Sequence, residues 1–290
     1  MLLPLSARAL HRILASAHRR LLRLDRVIAE LAVALHTPAL ERAAVEAHYA
    51  AAPIYRDPAH LRAGLFPFEA RALAASFPPP PGRLLVHGAG AGREVLALLD
   101  RGYDVDAFEP VAALVAALRR ALAERPPHAS PGASVDVEGL ESWAVMPVGS
   151  YDGIVTGWGA WTHLLRRDAR LTVLRAFRRV CPRGPVLLSF WRREPVFDPE
   201  ERGADAPREE DLSPLAARFQ ALTRGLLRER LLGLPPVEPG TAWRAGLFVH
   251  CVSEAELREE AAACGYRVAH YERDGSRYPN AVLVPGDRVV

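Results

Sequence analysis

The stretch that most constrains this chain is Leu84 to Glu94, LLVHGAGAGRE. A short apolar run, Leu84-Leu85-Val86, enters the turn Gly88-Ala-Gly-Ala-Gly92, and a helix-forming run, Arg93 to Leu99, follows at once. That order predicts a buried strand, a tight turn and a helix N-terminus. Glycine suits the turn because it tolerates left-handed backbone angles and lets a ligand approach the main chain. The N–H groups of the first helical turn then face whatever lies above the loop. Seventeen residues after Gly92, Glu109 ends a second apolar run, Val105-Asp-Ala-Phe108. A carboxylate at the tip of a second strand can accept hydrogen bonds from a ribose diol, so the pair points to a nucleoside-bearing ligand.

From Leu84 onward, short apolar strands alternate with helical runs: strand 84–87, helix 93–101, strand 104–108, helix 110–124, strands 134–137 and 152–156, helix 166–180 and strand 185–191. Such alternation predicts an α/β fold, a parallel sheet with helices on both faces, with ligands bound at the carboxyl ends of the strands. The four prolines 78–81 form a stiff spacer that separates a helical N-terminal extension, residues 1–78, from the main domain, 79–290. Within the extension, apolar residues at Leu10, Leu14, Ala17, Leu21, Leu24, Ile28, Leu31 and Leu35 hold one helical face. That stripe suits packing on the main domain, a homodimer seam or an arginine-rich membrane-surface helix. A second helix, about 39–49, and a third, 67–77, are expected to cover the site as a lid. Tyr49, Tyr55 and Glu69 are its candidate contacts, alongside a purely structural reading of each.

Residues 192–246 break the pattern and are expected to form an insertion beside the site, with a helix opened by Ser213-Pro214. About 55 residues would make only a marginal core alone. Ser253-Glu-Ala-Glu256 is a capping box opening helix 253–264. Gly265 ends that helix, and strands 266–271 and 278–284 close the chain.

Composition excludes several chemistries. All 37 basic residues are arginine, so there is no lysine for a Schiff base, a phosphate-binding P-loop or a Tyr-x-x-x-Lys dehydrogenase pair. The net charge of +3 is too small and dispersed for a nucleic-acid footprint. Three separated cysteines, with no C-x-x-C, suit a reducing cytoplasm and predict no metal site. No apolar run reaches a membrane-spanning length, and with Pro4 and Arg8 interrupting any apolar signal core, secretion is not expected.

Four blocks, in order, resemble class I S-adenosylmethionine-dependent methyltransferases over residues 82–290: LLVHGAGAGRE, DAFEP, SYDGIVTGWGAWTHL and SEAELREEAAACGYRV. The resemblance implies a Rossmann-like seven-stranded sheet whose last strand is antiparallel, with S-adenosylmethionine as cofactor. Its contacts would fall on Gly88, Ala89, Gly90, Gly92 and Glu109, with Arg93, Pro110 and Gly157 beside them. Two positions depart from the family pattern. Val86 stands where the first strand usually carries an acid, and the acid expected after the third strand is either Glu138 or Glu141, with Glu138 favoured.

The implied reaction is methyl transfer to an oxygen or nitrogen of a small molecule. It needs the acceptor held near the methyl carbon and, for a hydroxyl, a base. Tyr55, Trp158, Trp161 and Trp191 are the candidate acceptor contacts, and His163 and His250 the candidate bases, each weighed against a structural role. A nicotinamide-dependent oxidoreductase would keep the glycine loop and Glu109 but need another catalytic set. A non-catalytic cofactor-binding or dimerisation module is the third reading.

Overall fold

A computed structural model describes residues 7–125, 133–136, 150–193, 218–220, 222–272 and 279–286. Its centre is a seven-stranded sheet. Five strands are parallel: β1 (Arg83–His87), β2 (Asp104–Phe108), β3 (Ala133–Asp136), β4 (Gly153–Thr156) and β5 (Val186–Ser189). The small elements Trp191–Arg192 (β6), Thr241–Arg244 (β7) and Leu247–Val252 (β8) form a separate three-stranded sheet. Tyr266–Tyr271 (β9) and Asn280–Pro285 (β10) then complete the main sheet in the order β3-β2-β1-β4-β5-β10-β9. β10 runs antiparallel to both neighbours, so the expected seven strands and antiparallel last strand are present.

The period-2 alternation of the strands decides the layering. Leu85, Ile154, Leu188, Ala281 and Leu283 point to one side, into a core shared with helices α7 (Arg167–Val180) and α9 (Glu254–Ala263). Leu84, Val86, Val155, Leu187 and Val282 point to the other. There they meet α4 (Pro67–Ser76), α5 (Arg93–Leu99) and α6 (Ala112–Ala123). Both faces are therefore apolar, as a parallel sheet covered on two sides requires.

The N-terminal helices are α1 (Ala7–Leu35), α2 (Pro38–Ala51) and α3 (Pro58–Arg62). Thr37 caps α2, accepting a hydrogen bond from the Leu40 N–H, and Pro38 occupies the first turn, where its missing N–H costs nothing. α4 belongs to the core outright: Ala72, Leu73 and Phe77 sit in the same apolar cluster as β1.

Residues 241–252 form a hairpin. Ala245 and Gly246, both at positive φ (50° and 82°), make its two-residue turn. The expected strand 185–191 divides, and its last residue, Trp191, pairs with Cys251 in the small sheet. Of the helix expected from Ser213, residues 213–217 lie outside the described residues; Leu222–Leu227 is a π-helical turn, followed by α8 (Arg228–Leu232). Glu138 and Glu141 also lie outside the described residues.

Candidate active site

The sheet order reverses between β1 and β4, and a cleft opens at their carboxyl ends. The glycine turn forms its floor, and each glycine there serves a different need. A Cβ on Gly88 would collide with Ala160, and one on Gly92 with Leu118. Gly90 (φ +56°) has nothing within 4 Å of its Cβ position, so here the backbone is left open to a ligand. That is the cradle a nucleoside cofactor needs.

Glu109 follows β2 and is almost fully buried. Its carboxylate accepts hydrogen bonds from the N–H groups of Gly90 and Val111, both at 2.8 Å, and lines the cleft. Burial pushes its pKa up to about 7, opposed by those two bonds. Two N–H donors do not exhaust a carboxylate, which has about four acceptor positions.

Arg93 opens α5 beside two acids. Its guanidinium donates to both oxygens of Glu69 (2.8 and 2.7 Å), to Glu94 (2.5 Å) and to the Gly64 carbonyl (2.7 Å), and lies 3.7 Å over the Phe66 ring. One buried cation thus serves two buried carboxylates. The surplus charge is felt at Glu94, where burial, partly offset by Arg93 and reinforced by Glu69, raises the pKa to about 7. The Glu94 carboxylate fills the space where a Cβ of Gly157 would stand, at the end of β4. Glu69, expected as a lid or substrate contact, ties α4 to the helix that follows the glycine turn.

The roof is aromatic and comes largely from the N-terminal segment. Tyr55 lies 5.1 Å and His60 4.8 Å from Trp158, ring centre to ring centre. Tyr49 stands 4.8 Å from Tyr55, and its hydroxyl is 2.8 Å from Nε2 of His163. Trp158 holds φ +24°, a strained backbone for a bulky residue. His163 is half-buried, its Nδ1 shielded and unpartnered among the described residues, and desolvation, helped by His48, lowers its pKa to about 4.

The cleft brings together Tyr55, Gly88, Ala89, Gly90, Arg93, Glu109, Pro110, Gly157, Trp158 and His163. Gly92 stands behind them, packed on Leu118. Two expected acceptor contacts and one expected base fall elsewhere. Trp161 is fully buried in the apolar core, and Trp191 packs under Arg244 in the small sheet. His250 is buried in β8, where Nε2 meets Glu256 at 2.9 Å. Glu256 in turn receives Arg170 (2.9 Å) and Arg193 (2.6 Å), and Arg170 also holds Glu260 (2.8 Å) and Glu238 (3.2 Å). That network fastens α7 to α9, and two arginines already supply its positive charge. Glu94, His60 and Val45 also line the cleft, and no motif in the sequence singles out His60 or Val45 for it. For Glu94 a signal existed, since an acid stands two residues after the glycine turn.

No protein-family model and no curated protein matches the chain. Solved structures do match. A Burkholderia thailandensis 1,6-didemethyltoxoflavin-N1-methyltransferase is 17% identical, with a TM-score of 0.56 over 87% of this chain and 92% of that one. The CcbJ methyltransferase from Streptomyces caelestis is 16% identical, with a TM-score of 0.54 over 84% and 96%. A SAM-dependent methyltransferase from Methanosarcina mazei is 16% identical, with a TM-score of 0.52 over 77% and 98%. The fold is that of the class I S-adenosylmethionine-dependent methyltransferases.

Proposed function

We propose that the protein is an S-adenosylmethionine-dependent methyltransferase acting on a nitrogen or oxygen of a small, ring-containing molecule. The observation that carries this reading is the charge of the cleft. Two buried carboxylates, Glu94 and Glu109, line it with pKa values near 7, and the guanidinium of Arg93 is already committed to Glu69 and Glu94. Such a cleft favours a ligand bearing an ammonium and a sulfonium. It disfavours the pyrophosphate of a nicotinamide dinucleotide, which needs free N–H groups or cations.

When bound, S-adenosylmethionine supplies a methyl group already activated on a sulfonium. Gly88, Ala89 and Gly90 would carry it, Glu109 would accept from the ribose hydroxyls, and Glu94 would face the amino-acid ammonium that Val86 cannot serve. The chain's remaining task is to place and deprotonate the acceptor. Trp158, Tyr55 and His60 pack on one another along the cleft, an aromatic lining suited to an aromatic or heteroaromatic acceptor. The Burkholderia enzyme, whose structure holds 1,6-didemethyltoxoflavin and S-adenosylhomocysteine, supports an acceptor of that kind. The neutral His163, hydrogen-bonded to Tyr49, can take an acceptor proton through the phenol.

The test is calorimetric titration with S-adenosylhomocysteine and NAD, followed by an S-adenosylhomocysteine-release assay over phenols, aromatic amines and heteroaromatic N–H compounds. Binding of S-adenosylhomocysteine alone and turnover of a ring-containing acceptor are expected. Binding of NAD in its place would overturn the reading.

A further inference from the structure

The N-terminal helix leaves the body of the molecule. Near its C-terminal end Val33 and Ala34 are buried, and this part packs against β7 and the π-helical turn. Residues 9–28, about 30 Å of helix at 1.5 Å per residue, project beyond that contact with most side chains exposed. Nine of the fifteen exposed large apolar side chains among the described residues lie on α1, from Leu10 to Leu35. Leu10, Leu14, Leu21, Leu24 and Ile28 hold one face. The patch continues onto the adjoining turn through Phe219, Leu222 and Leu226, which are also exposed. Patches of this kind are covered in the working protein.

Charge decides between the possible covers. Between residues 9 and 28 there are five arginines, 12, 19, 20, 23 and 26, against one acid, Asp25. At 100° per residue, four of them lie opposite the leucines and Arg20 lies at the flank. The other acid of the helix, Glu30, is held by Arg224 at 2.7 Å. A second copy in a helix pair would need complementary acids and bases along the flanks. Here the flanking positions are His11, His18 and Asp25 on one side and Ile13, Arg20 and Val27 on the other. An apolar face backed by arginines matches instead a helix lying in the headgroup layer of an anionic bilayer.

We propose that the exposed face of α1, together with the apolar edge of the adjoining π-helical turn, docks the protein on an anionic lipid surface. Through Thr37, α1 runs directly into α2, which carries Val45 and Tyr49 of the cleft.

The full-length protein would be sedimented with phosphatidylcholine vesicles with and without phosphatidylglycerol. Binding is expected only with phosphatidylglycerol, falling about tenfold between roughly 0.05 and 0.5 M salt. Leu21→Asp with Leu24→Asp should abolish it, and Arg19→Glu with Arg23→Glu should weaken it at least about tenfold. Both pairs are exposed, so the melting temperature should not move. Absence of binding, or equal binding to neutral vesicles, would overturn the proposal. So would a solution dimer that Leu21→Asp dissociates, since a second copy would then cover the face.

Discussion

Glu94→Gln separates the charge argument from the general shape of the cleft. Burial and Glu69 raise the Glu94 pKa from 4.5 to about 7. That shift corresponds to about 3 kcal/mol of penalty on the ionised form, at about 1.4 kcal/mol per unit. An acid whose folded pKa is raised stabilises the fold below its unfolded pKa, and that contribution is lost as pH rises through the folded value. The ligand-free protein should therefore lose stability between about pH 4.5 and 7.5. Glu109, also raised to about 7, adds a loss of the same sign and similar size. Glutamine keeps the shape beside Gly157, and Arg93 keeps Glu69, so the variant should fold and should remove about half of the combined slope. Binding should change in the opposite sense. S-adenosylhomocysteine carries an amino-acid ammonium, and losing its charged acceptor should cost roughly 1.5–3 kcal/mol, about 10- to 100-fold in Kd. 5′-Methylthioadenosine lacks that group, so its affinity should stay within about twofold. Urea unfolding at several pH values reads the first effect, and calorimetry reads the second. Equal losses for both ligands, or an unchanged pH slope of stability, would refute the assignment.

Glu109→Gln should weaken both ligands by a similar factor, because both carry the ribose that we propose this carboxylate holds; calorimetry distinguishes it from Glu94→Gln. Gly90→Ala should lower stability by only about 1–2 kcal/mol for its left-handed backbone yet impair ligand binding, whereas Gly92→Ala meets Leu118 and should show the larger stability loss by urea unfolding. With saturating cofactor, turnover should show no histidine step near pH 6.5, because burial keeps His163 neutral down to about pH 4, and Tyr49→Phe should lower kcat for a hydroxyl acceptor without changing cofactor Kd. Arg170→Met should destabilise the fold by roughly 3–5 kcal/mol in urea, since Glu260 would be left as a buried charge without its main partner.

The sheet was legible because its strands advertise themselves: runs such as Leu84-Leu85-Val86 and Val186-Leu187-Leu188 are apolar on both faces and bounded by turn residues. The Ala245-Gly246 hairpin was not. Its first turn position carries alanine at φ +50°, where asparagine, aspartate or glycine would have marked the turn. The three candidate site residues that lie away from the cleft share one cause. Trp161 and Trp191 flank strand ends, and His250 precedes a capping box, so proximity in the chain suggested proximity to the cleft. Position along the chain does not say which way a side chain points. Trp161 is turned into the α7 face by the short helical turn Ala160–His163, which at the same time presents His163 to Tyr49. The arginines of the Arg170 network were equally opaque, because their partners lie 63 to 90 residues away in the chain.

The departure at Val86 has a physical reading once the neighbours are placed. Val86 is fully buried and packs in the apolar cluster shared with α4 and α5, so an acid there would be driven into the core. The negative charge sits instead on Glu94, within the first turn of the next helix, where it reaches back to the end of β4. That move has a consequence for the whole cover. A strand acid would answer only to the strand, whereas Glu94 shares Arg93 with Glu69 of α4. A ligand ammonium that draws Glu94 toward itself competes with Arg93, which then rests more fully on Glu69 and on the Gly64 carbonyl beneath α3. Cofactor binding should therefore tighten α3 and α4 against the loop. Amide exchange in residues 58–76 should slow on addition of S-adenosylhomocysteine, and the slowing should be lost in Glu94→Gln even at saturating ligand. If the variant shows the same protection, the coupling runs through the roof aromatics and not through Arg93.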